Sequence, residues 1–203
     1  MNQLQSSDDT PRSETVRQLE VIHRQLVTRR VDELRRNSSY VRHQLTVSAS
    51  QLSALAALGD LAFLEPLLIT RDGIIIDGYA RWELARRQGR LTLPCIEYQL
   101  TQAEALAWLL QSHRSSDGLH AFCRTLLALE LESWLKEKAR ANQQAGGQNK
   151  GSPNLTEAQR LDVRKEIARV AGVSVGNVTK VKQLTTTAHS DVIKALRENG
   201  RQR

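Results

Sequence analysis

Apolar residues recur at helical spacing between Thr15 and Arg36, at Val16, Leu19, Ile22 and Leu26. The other face of that stretch is basic, and the spacing predicts an amphipathic helix that "NSSY" ends. The polar residues before it predict a disordered start. Ser48 and Gln51 stand as a capping box, with Val47 as a hydrophobic staple, ahead of "LSALAALG", and Gly59 supplies a stop. The pattern then changes period. "PLLIT", "RDG" and "IIID" read as strand, tight turn and strand, with Asp72-Gly73 as the hairpin signal. A helix is predicted from Gly78 to Gln88, capped by Gly89, and a third strand over Leu91 to Leu100, where Pro94 suits an edge or a strand start. Thr101 and Glu104 make a second capping box before "ALAWLL". His120 to Ala145 is again helical, Gly146 to Asn154 reads as a flexible linker, and Thr156 with Gln159 caps a helical run to about Gln183. The order gives an α+β unit followed by an all-α unit, without an internal repeat.

Charge sharpens that division. The chain has 203 residues, 29 Lys and Arg against 22 Asp and Glu, and a net charge of +7. Residues 111–203 carry an excess equal to that whole net charge, while residues 46–110 are slightly acidic. Charge concentrated in one half points to a polyanionic partner, and the alternative is solubility alone. Aromatics make up 4% of the chain, too few for a base-stacking platform. Cys95 and Cys123 form no CxxC and lie in apolar runs, which predicts buried thiols in a reducing compartment. The histidines make no metal-ligand cluster, so no structural metal is expected. No run is long enough to span a membrane and the start is not a signal peptide, so a cytoplasmic location is expected.

At "IIIDGYARWELARRQG" a strand hands over to a helix at Asp77, Gly78, Tyr79 and Arg81. A helix start exposes unpaired N–H groups and the positive end of the dipole. Glycine there admits a ligand to the backbone, and an arginine in the first turn adds a fork suited to phosphate. Asp77 is the candidate catalytic group, able to orient a hydroxyl or a metal-bound water. The plainer alternative makes Asp77 an N-cap and Arg81 a solvated side chain. "GGQNKG" lacks the order of a phosphate-binding P-loop. His113 and Asp117-Gly118 hint at a loop with chemistry, yet no nucleophile–base pair is visible there. The tryptophans lie on apolar helical runs and read as core.

"EIARVAGVSVGNVTKVKQL" has the spacing of a helix-turn-helix. Ala168 is the small contact between the helices and Gly172 the turn. Ile167, Ala171, Val173, Val178 and Val181 form the lock, and Ser174 caps the second helix. Its outward face holds Val175, Gly176, Asn177, Thr179, Lys180, Lys182 and Gln183, groups that can enter a major groove. Thr179, Lys180 and Gln183 are expected to meet bases, with Ser174 and Asn177 near the backbone. Arg164, Lys165 and Arg169 on the preceding helix are expected to meet phosphates.

"DGIIIDGYARWELARRQGRLTLPCIEY" resembles the core of the ParB/sulfiredoxin superfamily, with Asp77, Gly78, Arg81, Gly89 and Pro94 at the places of its motif. The helix-turn-helix after that core resembles ParB-type partition proteins, and the likeness runs over about residues 31–185. Tyr79 stands where the family has His or Glu, and Ala80 replaces the first arginine of its pair. Leu110-Gln111 or Gln111-Ser112 stands at the family's Glu-Asn, which helps hold the metal, so the acid is missing, while Arg114 matches the arginine that follows. The resemblance implies a small ParB/sulfiredoxin-like α+β domain over 31–116 after an N-terminal extension (1–30), then a helical DNA-binding domain over 117–203. It further implies a nucleotide clamp for CTP with Mg²⁺, made by Gly78, Tyr79, Arg81 and Arg114. Implied partners are double-stranded DNA, a second copy of the chain and a partition ATPase. The expected role is plasmid or chromosome partition or transcriptional control, in association with nucleoid or plasmid. Partition proteins add a C-terminal dimerisation domain, and about twenty residues follow the second helix here. Dimerisation is therefore expected to use the α+β domain or the helical middle. Enzymatic activity is left open, weak CTP hydrolysis being the most these residues are expected to perform. The alternative is a hydrolase, phosphotransferase or nuclease built on Asp77, Gly78 and Arg81.

Overall fold

The computed structural model describes residues 24–114, 119–147 and 161–199. Its sheet has four strands: β1 (Arg24–Arg30), β2 (Leu67–Thr70), β3 (Ile75–Asp77) and β4 (Thr92–Tyr98), in the spatial order β1-β4-β2-β3. β1 lies antiparallel to β4, β2 parallel to β4, and β3 antiparallel to β2. The predicted hairpin turns at Gly73 (φ 76), where the Gly73 N–H donates to the Thr70 carbonyl and the Ile74 N–H to Thr70 Oγ1. Beyond β3 the chain at Arg35 covers the sheet edge. Its N–H donates to the Gly73 carbonyl and its carbonyl accepts from the Ile75 N–H.

The helix expected over Thr15 to Arg36 is corrected by this sheet. Residues 15–23 lie outside the described residues, and Arg24–Arg30 is β1, paired with β4 from Arg24↔Tyr98 to Arg30↔Thr92. The sheet thus begins ahead of the domain boundary expected at residue 31. Strand pairing overrides the helical spacing because β4 offers β1 a full backbone ladder and an Arg29–Glu97 ion pair. β4 is a central strand, and it tolerates Pro94 because β2 joins it only from Cys95 onward.

The helices are α1 (Ser38–Arg42), α2 (Ala49–Ala57), α3 (Tyr79–Arg87), α4 (Gln102–Arg114), α5 (Ala121–Leu129), α6 (Glu132–Gly147), α7 (Val163–Ala171), α8 (Val175–Thr187) and α9 (Ser190–Asn199). The capping residues act as their chemistry predicts. Ser48 accepts from the Gln51 N–H ahead of α2, and Thr101 and Glu104 bond each other's backbone N–H ahead of α4. The single helical run expected from His120 to Ala145 is broken at Glu130 and Leu131 into α5 and α6. Of the expected linker, Gly146 and Gly147 belong to α6 and the rest lies outside the described residues, as do Thr156 and Gln159.

α5 is the hub of the helical half and packs against α4, α7 and α8, while α4 also packs on β3. One continuous apolar core runs from Val31 through Ile75, Leu109 and Leu127 to Val178. The α+β fold and the helical half are joined through it. Both cysteines are buried thiols, and burial pushes Cys95 up to about 11.

Candidate functional site

The strand-to-helix junction forms where predicted. β3 ends at Asp77, whose Oδ1 accepts from the Gly78 N–H at 2.8 Å. Gly78 has φ +96, and a Cβ there would lie 2.9 Å from the Leu67 side chain. Glycine is therefore required by both backbone and packing. α3 starts without a side-chain cap, and its first backbone bond is Trp82 N–H to the Gly78 carbonyl. No side chain among the described residues caps the N–H groups of its first turn.

The side chains expected around that turn are largely engaged. Arg81 is 12% exposed. It donates to the Glu65 carbonyl at 2.6 Å and pairs with the Glu65 carboxylate at 3.0 Å, so it anchors the segment before β2 to α3. The Tyr79 side chain is in the core. Its hydroxyl donates to the Ile75 carbonyl and accepts from the Asn37 N–H, and its ring stacks on Tyr40 at 4.4 Å. Burial pushes the phenol pKa well above its ordinary value. The Tyr79 side chain is thus engaged in the core, and its backbone N–H lies in the first turn of α3.

Arg114, the last residue of α4, lies against the α7–α8 turn. A Cβ on Gly172 would come within 2.9 Å of Arg114 Nε. His113 beside it is 8% exposed, and neither ring nitrogen has a partner among the described residues. Burial lowers its pKa, the Asp77 carboxylate opposes that, and Arg124 adds to it. His113 thus lies within electrostatic reach of the α3 start and of the helical half. Arg124, which carries no motif in the sequence, closes that neighbourhood. Its Nε donates to the Ala171 carbonyl at 2.8 Å and an Nη to the Leu119 carbonyl at 2.6 Å, and burial, then Arg114, lower its pKa.

The two-helix unit places its residues as the spacing predicts. Asp162 caps α7 through the Arg164 and Lys165 N–H groups. Gly172 turns with φ +66, and Ser174 caps α8 through the Asn177 N–H. Ile167, Ala168, Ala171, Val178 and Val181 are buried. Ser174, Val175, Gly176, Asn177, Thr179, Lys180, Lys182 and Gln183 are exposed together. The cations differ in freedom. Lys182 pairs with Glu132 of α6 at 2.6 Å, and Arg169 with Glu166 at 2.5 Å. Lys165 reaches Asp162 at 3.9 Å, while Arg164 and Lys180 have no acidic partner among the described residues. A cavity of about 420 Å³ lies under α8, floored by Leu129, Ile167 and Val178 with Glu132, Lys136 and Lys182 beside them.

Among the described residues no three His, Cys, Asp or Glu side chains gather as a metal site, and no helix is long and apolar enough to cross a membrane. Neither a protein-family profile nor a curated protein sequence matches the chain. Solved structures do. One crystal form (C2221) of a pNOB8-like ParB N-domain matches with TM-score 0.54 at 13% identity, over 81% of this chain and 70% of that one. A second pNOB8-like ParB N-domain structure gives 0.52 at 14%, over 81% and 65%. A C-terminally truncated chromosome-partitioning ParB from Caulobacter crescentus, complexed with CTP-gamma-S, gives 0.39 at 18%, over 85% and 84%. The first two, each matched over most of this chain, show a shared architecture: the chain has the α+β fold of ParB N-domains.

Proposed function

We propose that this chain is a sequence-specific DNA-binding protein of ParB type. Residues 163–185 act as a helix-turn-helix and α8 as its reading helix. The observation that carries this reading is the sorting of α8. Val178 and Val181 are buried, while Thr179, Lys180 and Gln183 stand exposed on one face in the basic half of the chain. Thr179 and Gln183 offer hydrogen bonds to base edges, and Lys180 an unpaired cation. Arg164 and Lys165, at the start of α7, serve the phosphates. Arg169 and Lys182 serve only by leaving Glu166 and Glu132. The partner is double-stranded DNA, bound as a dimer in plasmid or chromosome partition or in transcriptional control, at nucleoid or plasmid in the cytoplasm. A partition ATPase is the further partner.

Selection from a random DNA pool tests this. The intact chain is expected to recover a motif, and Lys180→Ala with Gln183→Ala to lose about 10-fold or more in affinity for it. Equal affinity in the double variant would remove α8 from the interface.

The nucleotide part of the proposal rests on the uncapped start of α3 and on the resemblance of its motif. CTP phosphates would take the N–H groups after Gly78, with Arg81 released from Glu65 and with His113 and Arg114 at hand. Asp77 is the carboxylate at the junction to which Mg²⁺ can turn. Calorimetry with CTP and Mg²⁺ checks it. Binding that disappears in Arg81→Ala supports the nucleotide role. DNA selection that succeeds without any nucleotide binding leaves the chain a plain DNA binder.

A further inference from the structure

The cavity of about 420 Å³ behind α8 has a floor and a mouth of opposite character. Leu129 at the end of α5, Ile167 of α7 and Val178 of α8 make the floor. The mouth is charged. Glu132 of α6 accepts from Lys136 of the same helix at 2.8 Å and from Lys182 of α8 at 2.6 Å. Two ammonium groups thus share one carboxylate, and Lys136 first, then Lys182, hold that carboxyl below its ordinary pKa. The same three residues also border a more open hollow of about 690 Å³, so solvent reaches them from that side as well.

The charges at the cavity do not balance. Asp162, its second acid, caps α7 through the Arg164 and Lys165 N–H groups. Arg164 borders the cavity too, and it has no acidic partner among the described residues. Three cations therefore face two acids, and one positive charge is left over. Both lysine side chains are more than half exposed, so an ammonium can turn to a new anion without leaving a buried place.

This pairing of floor and mouth selects a ligand. An inorganic anion would answer the charge and leave the apolar floor unused. A neutral apolar molecule would cover the floor and leave the charge unanswered. A small organic anion, with an apolar body and one carboxylate or sulfonate, does both. The volume falls within the range of small-molecule sites, roughly 300–1,000 Å³. We propose that the cavity binds such an anion, its body on Leu129, Ile167 and Val178 and its charge on Lys136 and Lys182. An occupant there touches α8, but its binding needs neither DNA nor nucleotide. The site therefore stands or falls apart from the function proposed above.

Anilinonaphthalene sulfonate is the probe, and anilinonaphthalene, the same body without the sulfonate, is its control. Fluorescence titration of the intact chain gives the two affinities, and amide shifts in NMR spectra place the site. The sulfonate is expected to bind saturably, with shifts at Leu129, Ile167 and Val178. It is expected to bind about 10-fold more tightly than the uncharged body. Lys136→Gln is expected to remove most of that difference with an unchanged circular dichroism spectrum, since the side chain is exposed. Lys138→Gln takes a charge from the same helix, but one that lies over the Trp134 ring instead, and is expected to keep the difference. Leu129→Trp, which fills the floor, is expected to weaken both probes. Equal affinity for the two probes overturns the proposal. So do shifts confined to other surfaces, or a Lys136→Gln chain that binds as the Lys138→Gln chain does.

Discussion

Tyr79 shows how one residue is diverted from chemistry to structure. The motif that this junction resembles has His or Glu in its place, but here a phenol is buried. Its hydroxyl serves two backbone groups, donating to the Ile75 carbonyl and accepting from the Asn37 N–H. Those bonds tie the segment before α1 to β3. Tyr79→Phe keeps the ring stacked on Tyr40 but leaves a buried acceptor and a buried donor unpaired, which costs about 1–3 kcal/mol. Urea denaturation is expected to show a lower midpoint with an unchanged slope. Loss of CTP affinity without that change in midpoint would return Tyr79 to the ligand. Arg81 is the contrasting case. Its type and position were readable at the helix start, but its anchor was not. Glu65 lies in the loop before β2, and only the close packing of Gly78 on Leu67 brings the two together.

At the scale of elements, the parts of the fold readable in sequence are those decided by neighbours along the chain. The Asp72-Gly73 turn, the Thr101–Glu104 capping box and the Ser174 cap each settle their geometry within four residues. β1 is decided instead by β4, far along the chain. Its own residues show no clean alternation, and Leu26 is 71% exposed. The break between α5 and α6 has no Gly or Pro to announce it. Its cause is tertiary: Glu130 is held by Arg42 and His43 from α1 and the residue after it, while Leu131 is buried in the core. The α7–α8 turn shows both kinds of control. Gly172 is legible as a turn residue, yet the Arg114 side chain across it is not. Gly172→Ala must hold a Cβ at φ +66 and displace Arg114, so it is expected to destabilise by about 1–2 kcal/mol. Thermal unfolding checks this, and DNA affinity measured well below the transition separates a bent turn from a merely weaker one. Gly172→Asn, which tolerates the left-handed region better, is expected to fall between the two.

Across the whole molecule, the sheet and the helical half are bound by contacts that hold two histidines neutral. His43 sits half-buried between α1 and α5. Burial lowers its pKa, Glu130 opposes this, and Arg197 and Arg42 reinforce the lowering. His113 is lowered in the same direction between Asp77 and Arg124. For both groups the folded value lies below the ordinary 6.5. As pH falls through 6.5 the unfolded chain takes up protons that the folded chain refuses, so the stability these groups permit at neutral pH declines below that point. Unfolding free energy measured from pH 8 to pH 5 is expected to slope downward on the acid side. His113→Leu is expected to flatten part of that slope. It removes a buried ring whose nitrogens have no partner among the described residues, so at acid pH it is expected to match or exceed the parent in stability. If His113 instead holds a phosphate, adding CTP steepens the advantage of the parent chain as pH falls, because a protonated imidazole binds the anion better. The same substitution thus separates a histidine that only burdens the fold from one kept neutral until a ligand arrives. A stability curve that rises toward pH 5, or one that His113→Leu leaves unchanged, contradicts this assignment of protonation states.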